Sequence, residues 1–289
     1  MTIYNLGSIN IDHSYHVPAL PRPGETIAAT ALVTGLGGKG ANQSIAIARA
    51  GGKVAHIGAV GPEGGWTVAA LQAAGVDTGA VRVVDMPTGH AMITVDAAAE
   101  NAIVLFPGAN RAIDDDQIAA ALQPAGPDDW LLLQNETNGG VVAARLARKK
   151  GMQVAYCAAP FDAGAVADIL PFVDLLSVNE GEAAQLRANL PKAALENCHL
   201  LVTHGARGAA CIAPEQTVKT PAFKVDPVDT TGAGDTFLGY ALAGFDAGLP
   251  IAQALRRAAA AAALQVTRPG AAEAIPRAGE VADFLARQG

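Results

Sequence analysis

The chain has 289 residues, 51% hydrophobic and 16% charged, which excludes a disordered or fibrous polypeptide and allows one large α/β domain or two smaller ones. Twenty-seven acidic residues against 20 basic ones give a formal net charge of −7, and no long basic run occurs, so nucleic acid is not an expected partner. Cys157, Cys198 and Cys211 form no CxxC pair and read as buried free thiols of a reducing compartment.

The first six residues, Met1 to Leu6, lack a basic segment followed by an apolar stretch, so no signal peptide is expected. The longest apolar candidate for a membrane span, Ala258 to Val266, is too short, and a cytoplasmic protein without a membrane partner is the expectation. Along the chain, β-like runs at 3–9, 54–60, 81–84, 130–134, 153–157, 175–178 and 200–203 alternate with helical patterns. Those patterns fall at 41–50, 66–74, 115–123, 141–150, 163–170 and 180–189, then at 236–247, 251–265 and 280–287. This order predicts an α/β fold with a mainly parallel central sheet and helices on both faces, in a single domain over 1–289.

Two regions break the rhythm, at about 13–34 and 90–106. Both carry strand-like segments with no helix between them, at 26–34, 91–95 and 102–106. They predict a small β-sheet lid over the carboxyl ends of the parallel strands, where open α/β sheets bind ligands. A lid there would exclude water from a group transfer.

Two glycine clusters carry the chemistry. In Asp229-Thr230-Thr231-Gly232-Ala233-Gly234-Asp235, small residues precede an apolar helix, so backbone N–H groups would crowd around an anion at a helix N-terminus. Asp235 adds a carboxylate in the first turn, expected to stay ionised beside that dipole. Alone, the segment equally describes a well-capped helix.

The second cluster, Gly35-Leu36-Gly37-Gly38-Lys39-Gly40-Ala41-Asn42-Gln43, has a formal G-x-G-x-x-G. A dinucleotide loop also wants an acidic residue about 20 positions on. The next strand ends instead at Gly58-Ala59-Val60-Gly61. Gly40 after Lys39 removes a Walker A reading. What remains is a Gly-rich turn with one cation and one amide, beside Asn10 and Asp12, whose side chains can grip vicinal hydroxyls.

Gly7-Ser8-Ile9-Asn10-Ile11-Asp12, Gly37-Gly38-Lys39-Gly40-Ala41-Asn42-Gln43 and Asp229 to Asp235 together resemble the PfkB carbohydrate kinase family. The similarity spans nearly the whole chain in the expected order. The resemblance implies an ATP-dependent sugar kinase acting on a primary hydroxyl, with the 5-hydroxyl of D-ribose as first choice of acceptor. A nucleoside or another furanose is the alternative.

The resemblance further implies a catalytic base at Asp235 and an anion hole at Gly232, Ala233 and Gly234. It puts the sugar at Asn10, Asp12, Gly38, Lys39, Asn42, Glu136 and Asp235. Nucleotide contacts would come from Asn179, Thr203, Gly205, Arg207, Gly208 and Gly234, and a Mg²⁺ contact from Glu182. A monovalent cation, K⁺, would lie at Asp229, Thr231, Gln265, Arg268 and Gly270, the later positions contributing backbone carbonyls. Ala274 stands where the family has a serine, which removes one candidate cation ligand. The alanine run 258–263 stands where a polar residue is expected near the adenine, and a homodimer joined through the lid is implied. A non-catalytic sugar-binding protein on this scaffold would be expected to lack Asp235 or its glycines, and both are present.

Overall fold

The computed structural model describes residues 1–98, 100–196, 198–213 and 215–288. The chain starts with β1 (Ile3–Leu6), whose four residues are all buried. It then leaves the core as β2 (Asn10–His16) and β3 (Ala31–Gly37) before returning through α1 (Lys39–Arg49), β4 (Val54–Val60), α2 (Gly65–Ala73) and β5 (Asp77–Val83). A second excursion forms β6 (Gly89–Val95) and β7 (Asn101–Phe106). Next come α3 (Asp115–Leu122), β8 (Trp130–Gln134), α4 (Gly140–Lys149), β9 (Gln153–Cys157), α5 (Ala163–Ile169), β10 (Leu175–Asn179) and α6 (Glu180–Asn189). The chain finishes with β11 (His199–Thr203), β12 (Ala209–Ile212), β13 (Thr217–Thr220), α7 (Ala233–Asp246), α8 (Ile251–Gln265) and α9 (Ala278–Gln288).

The large sheet has the order β13-β12-β11-β10-β9-β8-β1-β4-β5, parallel from β11 to β5 and closed at one edge by the antiparallel pair β12 and β13. Alternation along each strand feeds two cores. Ile3, Trp130, Leu132 and Ala155 pack under α1, α2, α7, α8 and α9, whereas Tyr4, Leu6, Leu131, Leu133 and Tyr156 pack under α3, α4, α5 and α6. Among the described residues no helix is long and apolar enough to cross a membrane.

A second, four-stranded sheet has the order β3-β2-β6-β7, antiparallel at both outer pairs and parallel between β2 and β6. Several strand bounds differ from the sequence expectation. The run at 3–9 breaks after Leu6 and restarts at Asn10 in the other sheet. The stretch 26–30 forms no strand, and β3 runs on to Gly37 so that Gly37 can pair with Asn10. The β12–β13 hairpin carried too short an apolar signal to be expected.

Helices α1 and α7 meet over the sheet at Gly239. A Cβ there would lie 2.5 Å from Ala46 Cβ and 2.9 Å from the Gln43 carbonyl oxygen, so only hydrogen fits. This close approach sets the distance between the residues at the two helix N-termini. Gly239→Leu is expected to cost about 1–3 kcal/mol of stability by overpacking. Chemical denaturation would read the loss, and an unchanged midpoint would show that the helix pair can give.

Candidate active site

Strand β1 is the point where the chain reverses direction across the large sheet, with β4 and β5 on one side and β8 to β11 on the other. Such a point opens a crevice at the carboxyl ends of the strands. Ser8, after β1, donates its hydroxyl to Glu136 Oε2, after β8, at 2.5 Å. The same carboxylate oxygen accepts the Lys39 backbone N–H at 3.0 Å, while Gly40 N–H donates to Ser8 Oγ at 3.1 Å. Gly38 is the N-cap of α1 and offers no side-chain acceptor, so Glu136 and Ser8 satisfy the first N–H groups of that helix.

Helix α7 begins beside it. Gly232, its N-cap, has φ 77°, a left-handed conformation that disfavours any side chain. The Ala233 N–H is bonded to the Thr230 carbonyl at 3.2 Å, but those of Gly234 and Asp235 have no partner among the described residues. A Cβ at Gly234 would meet nothing within 4 Å, so this helix end is open. The anion hole expected at 232–234 therefore has its free donors at Gly234 and Asp235.

Asp235 is only 8% exposed. Its Oδ2 accepts from Asn42 Nδ2 at 3.1 Å and its Oδ1 from Gln43 Nε2 at 2.8 Å. Burial pushes its pKa above the ordinary carboxylate range, opposed by the Lys39 ammonium and by the two amides. The dipole argument alone expected the reverse direction, and burial outweighs it. Lys39 shows the complement: burial lowers its pKa, yet Asp235 and Glu136 reverse that and hold it charged, with Glu182 adding to the effect.

Gln43 was not singled out by sequence reasoning, although it stands in the glycine cluster. Its Oε1 accepts from Gln134 Nε2 at 2.7 Å, and Gln134 also donates to Asn5 Oδ1 at 2.8 Å. Asn5 donates to Ser44 Oγ at 2.8 Å, and Ser44 meets His56 Nδ1 at 2.8 Å. His56 Nε2 lies 3.0 Å from the Gly7 carbonyl. Burial lowers the His56 pKa to about 4, so the neutral ring donates from Nε2 and accepts at Nδ1. One buried polar chain thus runs from Asp235 through α1 to β8, β1 and β4.

On the sugar side, Asn10 opens β2 and its Oδ1 accepts from Asn110 Nδ2 at 2.7 Å. Asn110 Oδ1 in turn accepts the Ile9 N–H at 2.9 Å, which makes Asn110 the brace of this turn. Asp12 lies on the same face of β2 as Asn10. Burial, with Glu136 and Glu273 adding to it, raises its pKa to about 6.

The remaining predicted residues have settled local partners. Asn179 and Glu182 form a capping box on α6, Glu182 N–H donating to Asn179 Oδ1 at 2.9 Å and Asn179 N–H to Glu182 Oε2 at 2.8 Å. Thr203 ends β11, Gly205 and Arg207 form the next turn, and Arg207 pairs with Glu180 at the surface. Gly208 closes that turn by accepting the His204 N–H at 2.8 Å. Of the alanine run 258–263, all but Ala262 are buried in the core. Around Asp229, Oδ1 accepts the Thr231 N–H at 2.9 Å and Oδ2 the Gly270 N–H at 3.0 Å. Arg268 pairs its guanidinium with Glu280 at 2.6 Å.

The sequence profile described as pfkB family carbohydrate kinase matches residues 2–278. The chain belongs to the pfkB carbohydrate kinase family. It is 36% identical over 304 residues to a ribokinase of Haemophilus influenzae, covering 98% of each chain. Among solved structures it resembles the ribokinase of Thermotoga maritima, with 31% identity, a TM-score of 0.87 and 99% of both chains covered. It also resembles an Arabidopsis thaliana ribokinase complexed with ribose and ATP, with 30% identity, a TM-score of 0.85 and 98% of both chains covered. The fold shared with these proteins is the parallel α/β body with its small separate sheet, and the chain is a sugar kinase.

The raised pKa of Asp12 gives its expected sugar contact a pH signature. The carboxyl is ionised above its pKa near 6 and loses its charge as the pH falls through that value. The acceptor KM is expected to rise about tenfold between about pH 7.5 and about pH 5, and Asp12→Asn to show a high KM at both. Steady-state kinetics would read this, and a variant with wild-type KM would remove Asp12 from the acceptor site.

Proposed function

We propose that the chain transfers the γ-phosphate of ATP to the 5-hydroxyl of D-ribose. The observation that carries the proposal is the pairing of a buried, proton-accepting Asp235 with unpartnered N–H groups at the start of α7. Phosphoryl transfer asks for positioning and for stabilised charge, and this corner supplies both. Asp235 orients the hydroxyl and takes its proton as the P–O bond forms. Gly234 and Asp235 N–H, at the end of the α7 dipole, face the transferred group.

The sugar lies along Asn10, Asp12, Gly38, Lys39, Asn42 and Glu136. Asn42 Oδ1 is buried without a hydrogen-bond partner, and an acceptor hydroxyl would satisfy it. The nucleotide runs from Gly234 toward Asn179, Thr203, Gly205, Arg207 and Gly208, at the ends of β10 and β11. The ribose-bound and ATP-bound state of the Arabidopsis relative supports this choice of substrates.

Among the described residues no group of three His, Cys, Asp or Glu side chains is placed to cage a metal. That fits Mg²⁺, which keeps waters and binds largely through phosphates. Glu182 would be its protein contact through the oxygen not used in the capping box, and the ion would neutralise phosphate charge. K⁺ would lie among the oxygens of Asp229, Thr231, Gln265, Arg268 and Gly270, where each carboxylate or carbonyl oxygen that accepts a hydrogen bond keeps a lone pair for a cation, and Ala274 adds none from its side chain. ATP as donor and three free thiols support a cytoplasmic location.

The small sheet supports a homodimer. All six residues of β7 are exposed, and Leu32, Val33, Met92, Ile103, Val104, Leu105 and Phe106 carry apolar surface to solvent. An open sheet edge of this kind calls for a partner, and a second copy of the same sheet is self-complementary. Gel filtration is expected to give a dimer for the wild type and a monomer for Val104→Asp; a monomeric wild type would end the dimer proposal.

A coupled ATPase assay across D-ribose, 2-deoxyribose, other furanoses and nucleosides tests the acceptor. D-ribose is expected to give the highest kcat/KM, and Asp235→Asn to lower kcat by about 10²–10⁴ with the sugar KM little changed. A nucleoside preferred over D-ribose, or a fully active Asp235→Asn, would overturn the assignment.

A further inference from the structure

Gln134 ends β8 just before Asn135 and Glu136, and it is 3% exposed. Among the described residues, one end of its amide carries all its side-chain hydrogen bonds. Nε2 donates to Asn5 Oδ1 at 2.8 Å and to Gln43 Oε1 at 2.7 Å, while Oε1 is buried with no partner. A buried amide oxygen left unpaired is a cost that packing alone does not require.

The contacts around it admit one set of donors and acceptors. They start at the Gly40 carbonyl, which can only accept, so the Asn5 atom 2.9 Å from it is Nδ2. Asn5 Oδ1 then faces Gln134, whose nitrogen must donate to it and, in the other direction, to Gln43 Oε1. Gln43 is left with its Nε2 toward Asp235, 2.8 Å from Oδ1. With the Gln43 amide reversed, its oxygen would lie against the carboxylate and its NH₂ against that of Gln134. Both contacts would set like charge against like in a buried site.

We propose that Gln134 is a positioning residue for phosphoryl transfer, holding the Gln43 amide with its N–H end on Asp235. The proposal rests on the reading of Asp235 as the proton acceptor. Asp235 takes its side-chain hydrogen bonds from Asn42 and Gln43, so Gln134 reaches it through the second. An amide donor favours the ionised carboxylate, the form that can take a proton, and losing it leaves Asp235 more often the neutral acid. Among the described residues, Lys39 on α1, Glu136 after β8 and Cys157 at the end of β9 are the other titratable groups that act on Asp235. All three stay in place when residue 134 changes.

Gln134→Met keeps the length of the side chain and removes the donor. The pH profile of kcat is measured for D-ribose at saturating ATP. Its acid limb, set by ionisation of Asp235, is expected to move up by about one pH unit in the variant, with the acceptor KM at about pH 8 changed less than about twofold. Gln43→Met is expected to move the limb as far, and the double variant no further, because the two side chains act in series. A readout independent of turnover is the Asp235 carboxyl itself, titrated by ¹³C NMR in protein labelled at aspartate Cγ and identified by its loss in Asp235→Asn. The same upward move of about one pH unit is expected there. One wild-type measurement needs no change at 134. The Gln43 side-chain NH₂, identified by its loss in Gln43→Met, is expected to exchange with solvent at least about tenfold more slowly than exposed amides.

A Gln134→Met variant that loses kcat evenly at all pH values, with the Asp235 titration unmoved, is merely structural and overturns the proposal. So does a shift that adds in full to that of Gln43→Met, or a Gln43 NH₂ that exchanges as fast as exposed amides. A wild type that phosphorylates none of the acceptors, or a fully active Asp235→Asn, refutes the proposed function alone, and the Asp235 titration still decides what Gln134 does.

Discussion

A carboxylate kept out of water governs this molecule. Asp235 is buried where two helix N-termini converge, and burial alone would drive it to the neutral acid. The amides of Asn42 and Gln43 and the Lys39 ammonium hold against that drive. The result is a base stronger than an exposed aspartate and still fixed in direction. What sets the place of α1 against α7 therefore acts on the chemistry, beginning with the bare Cα of Gly239.

Helix α1 serves two sides at once. Its first N–H groups are spent on Ser8 and Glu136, which locks it to the crevice beside β1. Its next turn sends Asn42 and Gln43 the other way, to α7. The second of these is held in turn by Gln134, and the chain of donors ends on the neutral ring of His56. Each member has a defined donor or acceptor role, so the network specifies one arrangement of three strands and two helices.

The parallel body and the site's glycine clusters were legible because they are written locally. Alternating strand and helix patterns need windows of a few residues, and Gly232 to Asp235 and Gly37 to Asn42 each gather small and polar residues in one turn, whose chemistry the family resemblance of these segments supplied. What escaped was long-range. Nothing near Gln43 says that Gln134 will meet it, and Asn5, Ser44 and His56 read separately as unremarkable polar residues in apolar runs. Asn179 and Glu182 show the opposite difficulty, since their spacing fits both a nucleotide contact and the capping box that the fold displays. At 265 the sequence suggested a backbone carbonyl, and only the fold shows the side chain turning back between two others.

Strand β2 begins at Asn10 and ends at His16, so the first residues of the small sheet are also residues of the crevice wall. A β-strand has no hinge within it. Any tilt of that sheet is transmitted as a lever to Asn10 and Asp12, with Asn110 as its fulcrum at the base of β6 and β7. If Asn10 and Asp12 hold the sugar as proposed, gripping it and covering it would be a single mechanical event. An acceptor too large to let the sheet descend would then be rejected by the same strand that would have held it.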